Sequence, residues 1–481
     1  MRCNHRQETS RVFTRRALVL ALGVAVLITL VATVAVGGDG AACSGIRRVV
    51  VIHFDTTRYD DLSCNGGLGS TPNCDAVAAR GMRYTNAIVT SPITSPSIAT
   101  FLTGRVPNRH GVYDVGGALS DELTTIAEVL KSHGFTTGGF TSNRIVGRMG
   151  SDTRRAAGFD QGFDVYETDF EIAMVPEGQS ANATARAHAP RLVDRALDFV
   201  EANRDEPFFL WMLHLDPHTP YAPPEPWESM YLEHADLLAA SQVLNPAVIH
   251  YSAWVPGRVD SHEYVARHLA EVTMVDHEIG RLLGRIEQLP GPTLLIITSD
   301  HGESLGDVGY WFNHGGNIRQ PSMHVPLIIA CDGRVPVGIS DALAANIDLA
   351  PTILDLVNIS LSELNGNGRS LVPTFDDEDP WPARMIPIQK HAARKSRGVR
   401  SGRFCLQSRF NPVTGLPVRS FFYDLQNDPG ETRDVSEEFP EAFEAHLAVQ
   451  RDWFARPAWA GAGPMHDPEI LRQLQSLGYV R

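Results

Sequence analysis

Three short stretches, far apart in the chain, carry the residue types of a metal-assisted site. Asp55 directly follows the apolar run "IRRVVVIHF", and Asp300 and His301 follow the apolar run "PTLLIITS". Carboxylate and imidazole groups suit Ca²⁺, Mn²⁺, Mg²⁺ or Zn²⁺, so these residues are candidate ligands of one divalent ion. Each motif alone has an ordinary alternative. A strand-end Asp is more often a turn former or helix cap, and "SDHGE" could be only a helix N-terminus.

The third stretch, "SPITSPSIATFLTGR" from Ser91 to Arg105, could hold a nucleophile. Pro96 suits the first turn of a helix, which predicts Thr94 and Ser95 at the N-cap. The positive end of the helix dipole stabilises a phosphate or sulfate oxyanion there, and a hydroxyl beside a divalent cation loses its proton more easily. A plain Thr or Ser cap explains the motif equally well when it stands alone.

The elements that must position these residues alternate along the chain. Periodicity predicts strands at "IRRVVVIHF", "TTGGFTSN", "PFFLWMLHL", "PTLLIITSD" and "HVPLIIAC". It predicts helices from about Pro72, near Ser95, over Asp121 to Phe135, and at "PRLVDRALDFVEAN", "TMVDHEIGRLLGRIEQL" and "NIDLAPTILDLVNI". This alternation indicates an α/β fold with a doubly wound, mainly parallel sheet between helices. In such sheets the site lies beyond the carboxyl ends of the strands, where Asp55, His214, Asp216 and Asp300 fall.

Composition bounds the class of protein and its domains. The chain has 481 residues, 43% of them hydrophobic, and a net charge of −14, which argues against a nucleic-acid partner. After an acidic, proline-containing stretch the pattern changes to alternating segments, "GVRSGRFCLQSRF" and "VRSFFYDLQNDPGE". We therefore predict a catalytic domain over residues 46–375 and a small C-terminal antiparallel α+β subdomain over 376–481, closed by the helix "PEILRQLQSLGYV".

The N-terminus predicts export. Residues 1–16 are a basic tail, and residues 17–36 contain no charge and are long enough to span a bilayer as a helix. A retained signal-anchor, a cleaved signal peptide, a lipoprotein signal ending at Cys43 and a buried helix remain open, in that order of fit to the segment's length and basic flank. The catalytic domain is expected outside the cytoplasm, anchored to the membrane or, after cleavage, secreted or periplasmic. There Cys64 and Cys74 could form a disulfide or remain free thiols.

From about Ile46 to the C-terminus, the motifs resemble those of the sulfatase family of the alkaline phosphatase superfamily. In family order they are "VIHFDTTRYDDL", "STPNCDAVAARGMRYTNA", "TSPSIATFLTGRVPNRHGV", "HLDPHTPYAPP", "TSDHGESLGD", "HVPLII", "NIDLAPTILDL" and "FYDLQNDPGETRDV". Each piece is short, but eight in the correct order are specific.

The resemblance implies a role for each matching residue. Asp55, Asp300 and His301 would ligate the metal, and Thr94 falls where the family has the Cys or Ser that becomes formylglycine. His218 in "PHTP" and His314 in "WFNHGG" would contact the ester and assist the leaving group. The implied roles of three more residues are substrate binding or a structural function for Arg105, loop orientation for His214, and helix capping for Glu303.

Four departures from the family pattern surround the formylglycine position. Thr94 cannot be converted to the aldehyde, Ile98 replaces an Arg, and Thr56 replaces the second Asp of the usual pair. The segment "TSNRIVGRMG" replaces the family's Gly-Lys-Trp-His segment. The remaining Asp, Thr, Asp and His resemble the metal site of Thr-nucleophile members of the superfamily, such as lipoteichoic acid synthases, phosphoethanolamine transferases and nucleotide pyrophosphatase/phosphodiesterases.

These observations predict in-line attack by Thr94 on a sulfate or phosphate ester, with one divalent metal ion as cofactor. Two alternatives stay open: a membrane-tethered transferase of a phospho-head-group, and an inactive sulfatase-like binding protein.

Overall fold

A computed structural model describes residues 45–147, 157–168, 188–250, 252–307, 309–376, 381–390, 396–411 and 417–455. These residues belong to one compact unit, Gly45–Arg481. The predicted membrane segment 17–36 and the predicted closing helix "PEILRQLQSLGYV" lie outside the described residues. Among the helices that are described, none is both long and apolar enough to cross a bilayer.

The described chain contains ten α-helices and sixteen β-strands. The helices are α1 Pro72–Ala78, α2 Thr94–Thr103, α3 Pro107–His110, α4 Ile126–Ser132, α5 Ala189–Ala202, α6 Ala235–Ala239, α7 Ser261–Ile286, α8 Gln320–Met323, α9 Leu349–Leu356 and α10 Pro440–Ala455. The strands are β1 Arg48–Phe54, β2 Met82–Tyr84, β3 Ala87–Ile88, β4 Thr136–Thr141, β5 Val165–Thr168, β6 Phe208–His214, β7 Thr293–Ser299, β8 Ser304–Leu305, β9 Trp311–Asn313, β10 Leu327–Ala330, β11 Gly338–Ser340, β12 Ala344–Ala345, β13 Ile386–Lys390, β14 Ser396–Arg400, β15 Phe404–Phe410 and β16 Pro417–Asp424.

Eight strands form the central sheet, in the order β11-β2-β10-β7-β1-β6-β4-β5. Among these strands β10 alone runs antiparallel to its neighbours, which confirms the predicted mainly parallel α/β fold. β1 pairs with β6 and β7 along its whole length, so Phe54 lies opposite both His214 and Ser299. The segments that follow these three strands therefore leave the sheet at one edge.

Helices cover both faces of this sheet because successive side chains of β1 point to opposite sides. Val49 and Val51 pack in a cluster that includes residues of α2, α4 and α9. Val50 and Ile52 pack in a second cluster, with residues of α1, α5 and α7. Burial of β1 on both faces explains why its sequence is a continuous apolar run rather than an alternating one.

The antiparallel sheet β13-β14-β15-β16 confirms the predicted strand pairing near the C-terminus. One face of it packs against the main body, where Ile388 and Tyr423 share a cluster with Val106 and Met323. The opposite face packs against α10, a helix that the sequence analysis did not predict.

Three local features differ from expectation or settle an open alternative. α4 begins at Ile126, not at Asp121, because Thr125 and Glu128 form a reciprocal capping box. α7 begins at Ser261, twelve residues earlier than predicted. Cys64 and Cys74 are free thiols, so the disulfide alternative is not realised in this structure.

Candidate metal and nucleophile site

Asp55, Asp300 and His301 meet at the edge of the central sheet. Asp55 follows β1, and Asp300 and His301 follow the adjacent β7; all three side chains are fully buried. One ligand atom from each lies within 4.8 Å of the others. His301 Nε2 is 3.8 Å from Asp55 Oδ1 and 3.4 Å from Asp300 Oδ2. The three predicted metal ligands therefore lie together at the carboxyl ends of two adjacent strands, as the sequence analysis expected for strand-end residues.

The carboxylate oxygens in this group leave two acceptor positions for a cation. Asp55 Oδ2 accepts a hydrogen bond from Asn143 Nδ2 at 2.6 Å, and Asp300 Oδ1 accepts one from the His301 backbone N–H at 2.8 Å. Asp55 Oδ1 and Asp300 Oδ2 are buried without any hydrogen-bond partner. Unpaired buried carboxylate oxygens are costly, and a divalent ion would satisfy both at once. The donor set therefore fits the predicted metal.

The pKa shifts of these three side chains also favour binding of a cation. Burial, followed by repulsion from Asp300, holds the pKa of Asp55 well above its usual range, and burial raises the pKa of Asp300 to about 7. Burial lowers the pKa of His301 well below its usual value, so its imidazole is neutral. His301 Nδ1–H donates to the Gly302 carbonyl at 3.0 Å, which leaves the Nε2 lone pair for a ligand bond.

Thr94 places its hydroxyl beside this group. Its Oγ1 is 3.2 Å from His301 Nε2, and the side chain is 2% exposed. The structure corrects one detail: α2 begins at Thr94 itself and Ile93 is the N-cap, so Thr94 is the first helical residue rather than the cap. Its side chain therefore does not serve the capping role considered from the sequence, and it faces the predicted metal ligands.

Two residues that the sequence analysis missed join α2 to the segment after β7. Ser97 Oγ donates to the carbonyl oxygen of Asp300, and Asn346 Nδ2 donates to Ser97 Oγ at 2.9 Å. These contacts tie the helix that carries Thr94 to the backbone of a predicted metal ligand. "SPS" in the nucleophile stretch gave no sign of this role, because the partner carbonyl is about two hundred residues away.

His218 and His314 also reach the predicted site. The rings of His301 and His314 have centroids 4.2 Å apart, and those of His218 and His314 are 5.0 Å apart. His218 Nδ1–H donates to the Thr219 carbonyl at 2.6 Å, and His314 Nδ1 lies 3.5 Å from Glu303 Oε2. Both Nδ1 atoms are therefore directed toward a partner in the protein.

Arg105 is not brought to this cluster. It follows the end of α2, and the ten residues of that helix span about 15 Å from Thr94. The substrate-binding and structural roles expected for Arg105 from the sequence both stay predictions.

Two other sequence expectations change. Residues 301–303 lead into strand β8 rather than a helix, so the helix N-terminus alternative for "SDHGE" and the capping role of Glu303 are wrong.

Asn143 is a further site residue that the sequence analysis missed. It lies in "TSNRIVGRMG", which the sequence analysis treated only as a lost segment. Its position just after β4 is a strand end like that of Asp55, and that signal could have found it.

Comparison with known proteins identifies the family. The sequence matches the Sulfatase family over residues 47–359, well over half of the chain. The chain belongs to the sulfatase family. Residues 308–449 of this sulfatase also match the family described as N-sulphoglucosamine sulphohydrolase, C-terminal, which includes the antiparallel sheet. Family members generally bind a divalent metal, in agreement with the group formed by Asp55, Asp300 and His301.

Individual relatives span most of the chain. N-acetylglucosamine-6-O-sulfatase of Bacteroides thetaiotaomicron is 25% identical over 475 residues, covering 81% of this chain and 82% of its own. Arylsulfatase A of Homo sapiens is 27% identical over 482 residues, covering 85% and 88%.

Solved structures share the fold. A phosphonate monoester hydrolase of Agrobacterium radiobacter superposes with a TM-score of 0.67 at 20% identity, covering 87% of this chain and 97% of its own. A protein solved in complex with its substrate, D-glucosamine-2-N,6-O-disulfate, superposes with a TM-score of 0.66 at 20% identity, covering 85% and 97%.

Proposed function

We propose that this sulfatase is a divalent-metal-dependent hydrolase of a sulfate or phosphate ester, with Thr94 as the nucleophile. One observation carries the proposal: the Thr94 hydroxyl lies 3.2 Å from His301 Nε2, beside two buried aspartates with unmet oxygens. Family membership supports the hydrolysis of sulfate esters as the general activity. A threonine at this place supports direct attack on the central atom of the ester.

The residues of the chain would divide the reaction as follows. When bound, the divalent ion would ease loss of the Thr94 proton and neutralise charge on the ester oxygens. Thr94 Oγ1 attacks phosphorus or sulfur and gives up its proton to solvent. The bond to the leaving oxygen breaks, and that oxygen takes a proton from His218 or His314. Water then attacks the same central atom, and Thr94 regains its proton as inorganic phosphate or sulfate leaves, or as a phosphate monoester leaves when the substrate is a diester.

Two considerations decide which esters should be tested. A threonine ester cannot expel sulfate by the internal elimination that an aldehyde hydrate allows, so it must be displaced at the central atom. Phosphorus tolerates that displacement readily, and a phosphonate monoester hydrolase shares the fold. We therefore expect phosphate monoesters or diesters to be turned over at least as well as sulfates.

The test uses the purified chain with Ca²⁺, Mn²⁺, Mg²⁺ or Zn²⁺ and aryl sulfate, phosphate monoester, phosphodiester and phosphonate monoester substrates. Thr94→Ala should lose at least about a thousand-fold in turnover, because the nucleophile is gone. Thr94→Ser, the matched control, keeps the hydroxyl and should keep a measurable rate. In the wild type, intact mass during turnover should show one phosphoryl or sulfuryl group on Thr94. Equal turnover by the wild type and Thr94→Ala would remove Thr94 from the mechanism, and no turnover with any metal would leave the transferase and binding-protein alternatives.

We also propose that the catalytic domain is exported. Support comes from the sequence alone: Arg15 and Arg16 precede the twenty uncharged residues 17–36. In cell fractionation the full chain should sediment with membranes or leave the cytoplasm, whereas a chain starting at residue 45 should stay in the soluble cytoplasmic fraction. A full chain found only in that cytoplasmic fraction would contradict export.

A further inference from the structure

Glu303 is a buried carboxylate that the proposed chemistry leaves without a task. It lies between His301 and β8 with no exposed surface. Its Oε1 has no hydrogen-bond partner, and its Oε2 lies 3.5 Å from His314 Nδ1. Among the described ion pairs His314 is its only basic partner. Burying a carboxylate without a Lys or Arg partner destabilises the folded protein, so the contact of Glu303 with His314 is expected to have a function.

The contact fixes the orientation of the His314 ring. An ionised carboxylate only accepts hydrogen bonds, so beside an ionised Glu303 the His314 Nδ1 carries the hydrogen that faces it. Nε2 is then the nitrogen left for an ester or its leaving oxygen. The rings of His301 and His218 pack against the His314 ring, at centroid distances of 4.2 and 5.0 Å.

Glu303 also borders the loop that carries His218. After burial, the charge of Glu303 is the next cause that raises the pKa of Tyr221 well above its usual value. Tyr221 is 1% exposed and packs edge-on against Phe312, with ring centroids 6.4 Å apart. Phe312 lies two residues before His314. The segments that carry the two histidines therefore meet at Tyr221 and Phe312.

We propose that Glu303 is the positioning residue for His314, and that it holds the ring with Nδ1–H toward the carboxylate and Nε2 toward the leaving oxygen of the ester. This inference rests on the proposed function. Loss of the carboxylate charge should therefore weaken assistance to the leaving group more than it weakens metal binding or attack by Thr94.

The kinetic test measures Glu303→Gln on a series of aryl esters whose leaving groups range from acidic nitrophenols to phenol. The loss in kcat/KM should be about tenfold larger for phenol than for the most acidic nitrophenol, because only the poor leaving group needs a proton. His314→Ala should show the same trend, and the double variant should be no worse than His314→Ala alone. Glu431→Gln, a matched substitution at a buried carboxylate in the segment after β16, should leave the leaving-group dependence unchanged.

An equal loss across the series, or an effect that adds to that of His314→Ala, would overturn the inference while leaving Thr94 as nucleophile. If Glu303→Gln does not fold, Glu303→Asp withdraws the carboxylate from His314 but keeps its charge, and the same dependence on leaving group is expected.

An activity-independent measurement uses ring-¹⁵N spectra of histidine-labelled, metal-loaded protein, with His314→Ala to assign the signal. His314 Nδ1 should carry a hydrogen in the wild type and lose that preference in Glu303→Gln; Nε2 must carry a second hydrogen in the form that assists the leaving group. A His314 ring whose Nδ1 carries no hydrogen in the wild type would refute the positioning role even if no substrate were turned over.

Discussion

At the scale of single residues, the site is defined by polar atoms that are buried without partners. Asp55 Oδ1 and Asp300 Oδ2 face the same imidazole nitrogen, and burial raises the pKa values of both carboxyl groups. Asn143 and the backbone satisfy only the oxygens turned away from it. The metal-free arrangement is therefore unfavourable, and binding of a cation would relieve it.

Divalent metal should stabilise the wild type, and Asp300→Asn should abolish that effect because it removes a charged ligand. At a metal concentration a hundredfold above the dissociation constant, binding should add about 2.7 kcal/mol to the free energy of unfolding. Differential scanning calorimetry with and without metal measures the shift in Tm. Asp276→Asn is the control, since Asp276 is buried but bonds Asn73 and Cys74 away from the site. An equal metal-induced shift in Asp300→Asn and the wild type would exclude Asp300 as a ligand.

At the scale of elements, the site depends on the position of α2 relative to β7. The parallel pairing of β1 with β7 fixes Asp55 beside Asp300, but it does not place Thr94. Ser97 makes that connection, through its bonds to the Asp300 carbonyl and to Asn346. The N-terminal turn of α2 is thereby held against the predicted metal ligands.

Ser97→Ala should reduce both stability and turnover. The loss of a buried hydroxyl that bonds two partners should cost about 1–3 kcal/mol in the free energy of unfolding, measured by urea denaturation. Turnover should fall because α2 is no longer fixed to the Asp300 backbone. Thr103→Val, on the same helix, removes a hydroxyl that bonds only the Ala99 carbonyl and should leave turnover unchanged. A Ser97→Ala enzyme with wild-type turnover would show that packing alone positions α2.

At the scale of the whole molecule, the antiparallel sheet is joined to the main body by a buried polar contact as well as an apolar one. Glu431, which follows β16, accepts a hydrogen bond from the Gln320 backbone at the start of α8 and is also bonded by Gln407. Burial raises the pKa of Glu431 to about 7, although Arg319 and Arg400 lower it; Asp428 raises it further. The contact between the two parts should therefore depend on pH.

The direction in which stability changes with pH follows from the raised pKa of Glu431. Between about pH 4.5 and pH 7 the folded protein holds a proton on Glu431 that the unfolded chain has released, so stability falls as pH rises through this window. Glu431→Gln removes this titration. The Tm of the wild type, relative to the variant, should therefore decrease between pH 5 and pH 8 in thermal melts at constant salt. A Tm difference that stays constant over this range would show that Glu431 does not titrate in it.

Much of the fold and site could be predicted from the sequence, for a definite physical reason. A continuous β-branched run predicts a strand buried on both faces, and alternation with helices makes its neighbours parallel. Parallel strands end at one edge, so the sequence could place Asp55, Asp300 and His301 at that edge, and the adjacency of β1 and β7 in the structure brings them together. The start of α4 was missed because a local capping box competes with helical periodicity, and α10 was missed because its pattern gave no clear apolar stripe.

The sequence by itself determined the α/β class, the family resemblance, and the residue types that could hold a metal and attack an ester. Tertiary structure alone decided which of these side chains meet. It brought in Asn143, Ser97 and Glu303, whose partners lie on other strands or loops. The reason is that local periodicity reports only which face of an element is buried. The partner of a buried polar atom depends on how distant loops cross the sheet edge, and no short stretch of sequence encodes that.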